Sequence, residues 1–173
     1  MSIIVVEGCD GSGKSTLIER ARENQKDRYF LKIQASRYPP NVKTALLYLN
    51  WIKRRPELDI ILDRFHFISD RVYGPILRKE NLFHEFPLHF GLHDIAVVVY
   101  CRPTRDKIIE NVMKATHLSG VREHIEALID GYDNLMRSIT EMKIATVINF
   151  DYQEQEAVPF WRHVYSVAKE SGK

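Results

Sequence analysis

An α/β fold, a five-stranded parallel sheet with helices on both faces, is what this sequence predicts, and three observations carry it. Short runs rich in Val and Ile, mostly apolar at successive positions, recur along the 173-residue chain. Strands buried on both faces of a parallel sheet read this way. Amphipathic stretches fall between the runs, so strand and helix alternate, and right-handed crossovers then lay helices on both sides of the sheet. The first run passes through a turn with three glycines straight into a helical pattern, "VVEGCDGSGKSTLIER", residues 5–20.

In chain order, residues 3–6 make the first strand and 14–24 the first helix. Residues 29–33 and 41–53 make the second strand and helix, and 60–62 and 69–79 the third pair. The fourth strand spans 95–100, with helices over 105–114 and 122–143, and the fifth spans 145–148, followed by a helix over 154–170. The segment 122–143 packs on the sheet, its pattern being too short for a coiled coil. In "FHEFPLHFGLH", residues 83–93, the spacing of His84, His89 and His93 defines no single helix face and Pro87 interrupts it. That segment reads as a loop and short helix over the site or at a subunit contact. Repeats, low-complexity tracts and linkers are not apparent, so residues 1–173 form one domain.

Composition narrows the function. With 45% hydrophobic and 28% charged residues the balance is that of a globular domain, and a net charge of +2 is too mild for a surface that coats nucleic acid. Cys9 and Cys101 stand far apart in no metal-binding spacing and read as reduced thiols of a cytoplasmic protein. The opening residues lack the basic flank and apolar core of a secretory leader, and nothing approaches the roughly 20 apolar residues of a membrane span.

Gly8-Cys9-Asp10-Gly11-Ser12-Gly13-Lys14-Ser15 matches G-x-x-x-x-G-K-[ST], the Walker A phosphate-binding loop, with a strand before it and a helix after. Glycines let successive backbone N–H groups face inward, and the helix amino terminus adds partial positive charge. Residues 8–16, through Thr16, therefore cradle the phosphates of a nucleotide such as ATP. Lys14 reaches the β- and γ-phosphates and Ser15 offers its hydroxyl to Mg²⁺. In "DIILDRFHFISDRVYG", residues 59–74, Asp63 stands at the carboxyl end of the third strand, where a carboxylate holds Mg²⁺ directly or through water. Arg64 follows at once, and an arginine beside the phosphates clamps them and neutralises developing charge.

These motifs resemble thymidylate kinases. "VEGCDGSGKST" is similar to that family's E-G-x-D-G-x-G-K-[ST] opening. "LDRFHFISDRVYG" is similar to its D-R-[YF] segment with one extra residue after Arg64, and "ASRYPP", residues 35–40, echoes its T-R-E-P-G. The resemblance implies a P-loop NTPase fold and an ATP- and Mg²⁺-dependent deoxynucleoside monophosphate kinase of nucleotide biosynthesis. It puts Asp10 near the acceptor's sugar and phosphate, Arg64 and Arg37 on the acceptor phosphate, Tyr73 under the sugar with Asp70 beside it, and Tyr48, with Trp51 behind it, on the base. It also implies a lid near the donor phosphates, here residues 113–123, offering Lys114, His117 and Arg122, with Arg102 and Arg105 able to help, and a homodimer through helices flanking the sheet. The base is left open, because "NWIKRRP", residues 50–56, does not reproduce the family's thymine-reading arginine.

Three other readings stand beside this one. A deoxynucleoside kinase has E-R-S and S-D-R motifs, which Ser69-Asp70-Arg71 echoes, but it needs a carboxylate base to take the proton of a 5′-hydroxyl. After the second strand this chain has "QASRYPP", an arginine and no carboxylate, which favours an acceptor already carrying phosphate. A P-loop switch or ATPase would not need the second anion site of Arg37 and Arg64. A kinase of nucleic-acid ends could use Lys53-Arg54-Arg55, which reads more simply as a solvated helix end.

Overall fold

The computed structural model describes residues 2–24, 29–32, 42–55, 59–114 and 120–171. The strands are β1 (Ile3–Glu7), β2 (Tyr29–Lys32), β3 (Ile60–Asp63), β4 (Val97–Cys101) and β5 (Thr146–Phe150). The helices are α1 (Lys14–Asn24), α2 (Val42–Lys53), α3 (His66–Tyr73), α4 (Leu88–Leu92), α5 (Arg105–Lys114), α6 (Ile125–Glu141) and α7 (Ala157–Glu170). All strand pairs are parallel, in the order β2-β3-β1-β4-β5. From β1 the chain crosses to one side of the sheet and after β3 it returns to the other. The carboxyl end of β1 is therefore a topological switch point, where such sheets bind ligands.

The two faces of the sheet follow the period-2 alternation of β1. Ile3 and Val5 join Ile60, Leu62 and Val98 under α2, α3, α5 and α6, whereas Ile4 and Val6 join Ile61, Val97 and Val99 under α1 and α7. On the second face Leu17 and Ala21 of α1 meet Trp161 and Val164 of α7, and the Trp161 indole N–H donates to the Leu17 carbonyl at 3.0 Å. Tyr132, Leu128 and Ile129 of α6 are fully buried on the first. Among the described residues no helix is long and apolar enough to cross a membrane.

Several element ends differ from the sequence pattern, for identifiable reasons. β1, β3, β4 and β5 run on through Glu7, Asp63, Cys101 and Phe150, because parallel pairing continues past the apolar run: Val6 aligns with Asp63 and Cys101 with Phe150. β5 is an edge strand whose Thr146 and Asn149 are exposed, so it is not buried on both faces as its apolar run predicts. α3 starts at His66 rather than near residue 69, behind Phe65, whose side chain gives no capping bond and hence no signal. The predicted helix 69–79 closes in a π-helical turn, Gly74–Arg78.

Leu128→Ala should lower stability by about 2–5 kcal/mol, the usual range for emptying a buried leucine site. Thermal and urea unfolding measure this; a loss under about 1 kcal/mol would mean that α6 is not packed on the sheet as described.

Candidate active site

The P-loop leaves β1 through Gly8, at φ 141°, and enters α1 through Gly13, at φ 88°. A Cβ on Gly8 would lie 2.7 Å from the Cys101 carbonyl oxygen, and one on Gly13 would lie 2.7 Å from the Tyr152 ring. Both positions therefore need glycine for conformation and for space. From outside the loop, the Asn111 carboxamide of α5 donates to the Gly11 carbonyl at 2.8 Å and to the Tyr152 hydroxyl at 2.9 Å. Helix α5 and the segment after β5 thus tie the loop down. Lys14 is buried and folds back on the loop, donating to the Cys9 carbonyl at 2.6 Å and to Ser12 Oγ at 3.3 Å. Burial lowers its pKa, the Arg64 charge lowers it further, and Asp10 acts the other way. Ser15 and Thr16 stand exposed on the first turn of α1.

Arg64 is built into the same crevice by its backbone. It directly follows β3, its N–H donates to the Val6 carbonyl at 3.0 Å, and its φ of 70° is left-handed. For a non-glycine residue that conformation costs about 1–2 kcal/mol, the kind of strain that clusters at functional sites. The guanidinium is buried and donates to Asp10 Oδ1 at 2.7 Å, the Tyr132 hydroxyl at 3.1 Å and the Tyr73 hydroxyl at 3.3 Å. It also stands 5.1 Å from the Tyr73 ring centroid. The Tyr73 hydroxyl donates to Asp10 Oδ2 at 3.1 Å and accepts from the Asp10 N–H at 3.1 Å. Burial works against the Arg64 charge, but Tyr73, Tyr132, Asp10 and Glu7 outweigh it, and its pKa is raised well above the ordinary guanidinium range.

Behind Arg64 lies Glu7, fully buried at the end of β1. Its Oε1 accepts from the Phe65 N–H at 2.6 Å and the Ser69 hydroxyl at 2.8 Å, and its Oε2 accepts from the Tyr132 hydroxyl at 3.0 Å. Burial raises its pKa, and the Arg64 charge and the Phe65 N–H partly offset that rise. The sequence reading gave no role to Glu7 or Tyr132. The available signal was a carboxylate ending an apolar strand, since such a group must find partners inside.

The structure brings Asp10, Lys14, Arg64 and Tyr73 together, with Asp63 directly before Arg64 at the end of β3. Asp70 is joined elsewhere: among the described residues its carboxylate accepts from the Arg78 guanidinium and from the Leu82 N–H at 3.0 Å, closing the π-helical turn. Burial raises its pKa and Arg78 acts against that. Arg102 forms a bidentate pair with Asp133 of α6, at 2.7 and 2.8 Å, and Arg105 pairs with Asp130. Those two arginines are thus bound to α6. In the predicted lid, Lys114 pairs with Glu110 and Arg122 is exposed. Trp51 is half-exposed, with the Arg55 guanidinium 5.4 Å from its ring centroid. Arg37 and His117 lie outside the described residues, as does the side chain of Tyr48.

Sheet order, phosphate loop and strand-end Asp-Arg pair together give this chain a P-loop (deoxy)nucleoside monophosphate kinase-like fold. Three solved structures share it over nearly their whole length. YorR from Bacillus subtilis, solved in complex with phosphorylated GDP, superposes with a TM-score of 0.70 at 17% identity, covering 97% of this chain and 96% of that one. Thymidylate kinase from Candida albicans superposes at 0.61 with 13% identity, over 99% and 93% of the two chains. Deoxyadenosine kinase from M. mycoides, solved with dCMP and dCDP, superposes at 0.59 with 16% identity, over 95% and 97%. Neither a protein-family model nor a curated protein sequence matches.

Burial pushes the Cys9 thiol up to about 11 and the Cys101 thiol up to about 12. At pH 7.5 both should resist a maleimide or disulfide reagent in the folded chain and react at once in urea. Because unfolded thiols ionise near pH 8.5 and these do not, the stability they contribute is present below that pH and lost as pH rises through about 11. Rapid labelling of the native protein, or a stability that is flat above pH 9, would contradict this burial.

Proposed function

We propose that the protein is an ATP- and Mg²⁺-dependent phosphotransferase that converts a deoxynucleoside monophosphate to the diphosphate, like thymidylate kinase. One observation carries the reading: two cations, Lys14 and Arg64, are buried in one crevice at the sheet's switch point, close enough that Arg64 depresses the Lys14 pKa. A transferring phosphoryl group between them relieves that repulsion and takes up both charges.

In this reading the P-loop N–H groups hold the donor's β- and γ-phosphates, and Lys14 leaves the Cys9 carbonyl for a phosphate oxygen. Arg64 neutralises charge on the transferring group and the acceptor phosphate. Asp10 and Tyr73, already linked to each other, line the sugar, and the Tyr73 ring disfavours a 2′-hydroxyl. Arg37 steadies the acceptor phosphate, Tyr48 and Trp51 contact the base, and the 113–123 segment closes over the donor. Ser15 and Asp63 offer only oxygen donors, which suit Mg²⁺. Mg²⁺ held there would offset the charge of the phosphates. The reading puts the protein in the cytoplasm, where its two free thiols stay reduced.

The carboxylates of the crevice support a phosphorylated acceptor. A 5′-hydroxyl needs a base to take its proton, whereas a phosphate oxygen is already an anion. Asp10 is engaged by Arg64 and Tyr73, and Glu7 by Phe65, Ser69 and Tyr132. The runner-up, a deoxynucleoside kinase, is favoured by the likeness to the M. mycoides enzyme, whose TM-score of 0.59 is close to the 0.61 of the thymidylate kinase.

A coupled assay over deoxynucleosides and their monophosphates should find ADP release with a monophosphate acceptor. Turnover of free nucleosides alone would establish the runner-up, and acceptor-independent hydrolysis would make it an ATPase. Lys14→Ala should reduce turnover by about 10²–10³-fold, the scale for removing one preorganised charge donor, with the fold intact by circular dichroism. Tyr73→Ala should narrow the preference for deoxyribo- over ribonucleotide acceptors; an unchanged ratio would remove Tyr73 from the sugar site.

A further inference from the structure

We propose that Glu7 and Tyr132 position Arg64 for phosphoryl transfer: the buried carboxylate holds the Tyr132 hydroxyl hydrogen, and the hydroxyl oxygen thereby faces the guanidinium and fixes its plane over the P-loop. The inference rests on the kinase reading only in treating Arg64 as a group that touches the phosphates. Neither residue reaches substrate itself; both act through Arg64.

The hydrogen bonds have one direction. A tyrosine hydroxyl has one hydrogen to give and lone pairs to offer. Here the hydrogen goes to Glu7 Oε2 at 3.0 Å, and a lone pair receives Arg64 Nη1 at 3.1 Å. With a carboxylate at one end and a guanidinium at the other, each bond polarises the next. Without the carboxylate the hydroxyl could turn its hydrogen toward Arg64, which can only donate, and the support would become a repulsion.

The two oxygens of Glu7 divide their tasks. Oε1 receives Phe65 N–H and Ser69 Oγ and so ties β1 to the start of α3. Oε2 receives Tyr132, 125 residues further along the chain. A purely architectural carboxylate would be served by the first pair. Tyr132 is correspondingly confined, fully buried with ring centroids 6.0 Å from Tyr73 and 6.1 Å from Tyr100. Tyr132 and Glu7 thus brace one side of the guanidinium, while Asp10 and Tyr73 brace the other.

The test pairs Tyr132→Phe, which keeps the ring and removes the hydroxyl, with Trp161→Phe, which removes a buried hydrogen bond on the opposite face of the sheet. Tyr132→Phe should lower kcat by about 10–100-fold, the scale of a misplaced reacting geometry, with the KM for ATP changed less than threefold. Trp161→Phe should also lose stability and keep kcat within about threefold. An independent readout is the Arg64 Nε–H resonance in ¹⁵N NMR of the ligand-free protein, assigned by its loss in Arg64→Lys. It should move or broaden in Tyr132→Phe and stay put in Trp161→Phe. Wild-type kcat in Tyr132→Phe, an equal loss of kcat in Trp161→Phe, or an unmoved Arg64 resonance overturns the proposal. If the wild-type protein turns over no acceptor, the kinase reading falls and the resonance alone decides whether Glu7 and Tyr132 position Arg64. Should Tyr132→Phe not fold, Glu7→Gln is read by the same two measurements, and wild-type values for both overturn the proposal.

Discussion

A guanidinium held out of water beside an ammonium is the constraint around which this molecule is arranged. Burying a charge is expensive unless it is paired and hydrogen-bonded, and Arg64 is supplied with partners from four directions. Asp10 comes from the P-loop, Tyr73 from α3, Tyr132 from α6, and the Glu7 charge stands behind Tyr132 at the end of β1. Those elements can meet at one point because β3 lies beside β1 in the sheet, with Val6 opposite Asp63. A one-residue slip of that register would exchange the faces of β3 and remove the arginine from its harness.

The donor side of the crevice has the opposite economy of charge. Arg102 and Arg105 stand near the end of β4, but Asp133 and Asp130 of α6 neutralise them. In the proposed reading the backbone N–H groups of the glycine loop and Lys14 attract a nucleotide's phosphates, and the loop is braced from outside by Asn111 and Tyr152. One helix, α6, thus carries both the hydroxyl that meets Arg64 and the carboxylates that hold Arg102, just past β4, and Arg105 of α5.

What was legible in the sequence was local. The P-loop is eight consecutive residues whose spacing is its geometry, and Asp63-Arg64 comes at the end of a short Ile/Leu run that reads as a buried strand. The alternation of strand and helix led to the sheet. Contacts between distant segments were not legible. Nothing near Tyr132 in "HIEALIDGYDNLM" marks it as more than a packing residue, and its partner lies 125 positions away. Asp70 matched a motif, yet the carboxylate meets Arg78 across a π-helical turn that no local pattern announced. Asn111 and Tyr152 likewise become part of the loop only once α5 and β5 are in place.

The left-handed backbone at Arg64 is strain held in place by charge. Glycine would relax that position by about 1–2 kcal/mol, yet it would leave the Asp10 carboxylate and the buried Glu7 carboxylate without the guanidinium, and breaking a buried pair on one side costs about 3–5 kcal/mol. A selection for thermal tolerance alone would therefore keep the arginine, and glycine could enter only after those carboxylates had been replaced.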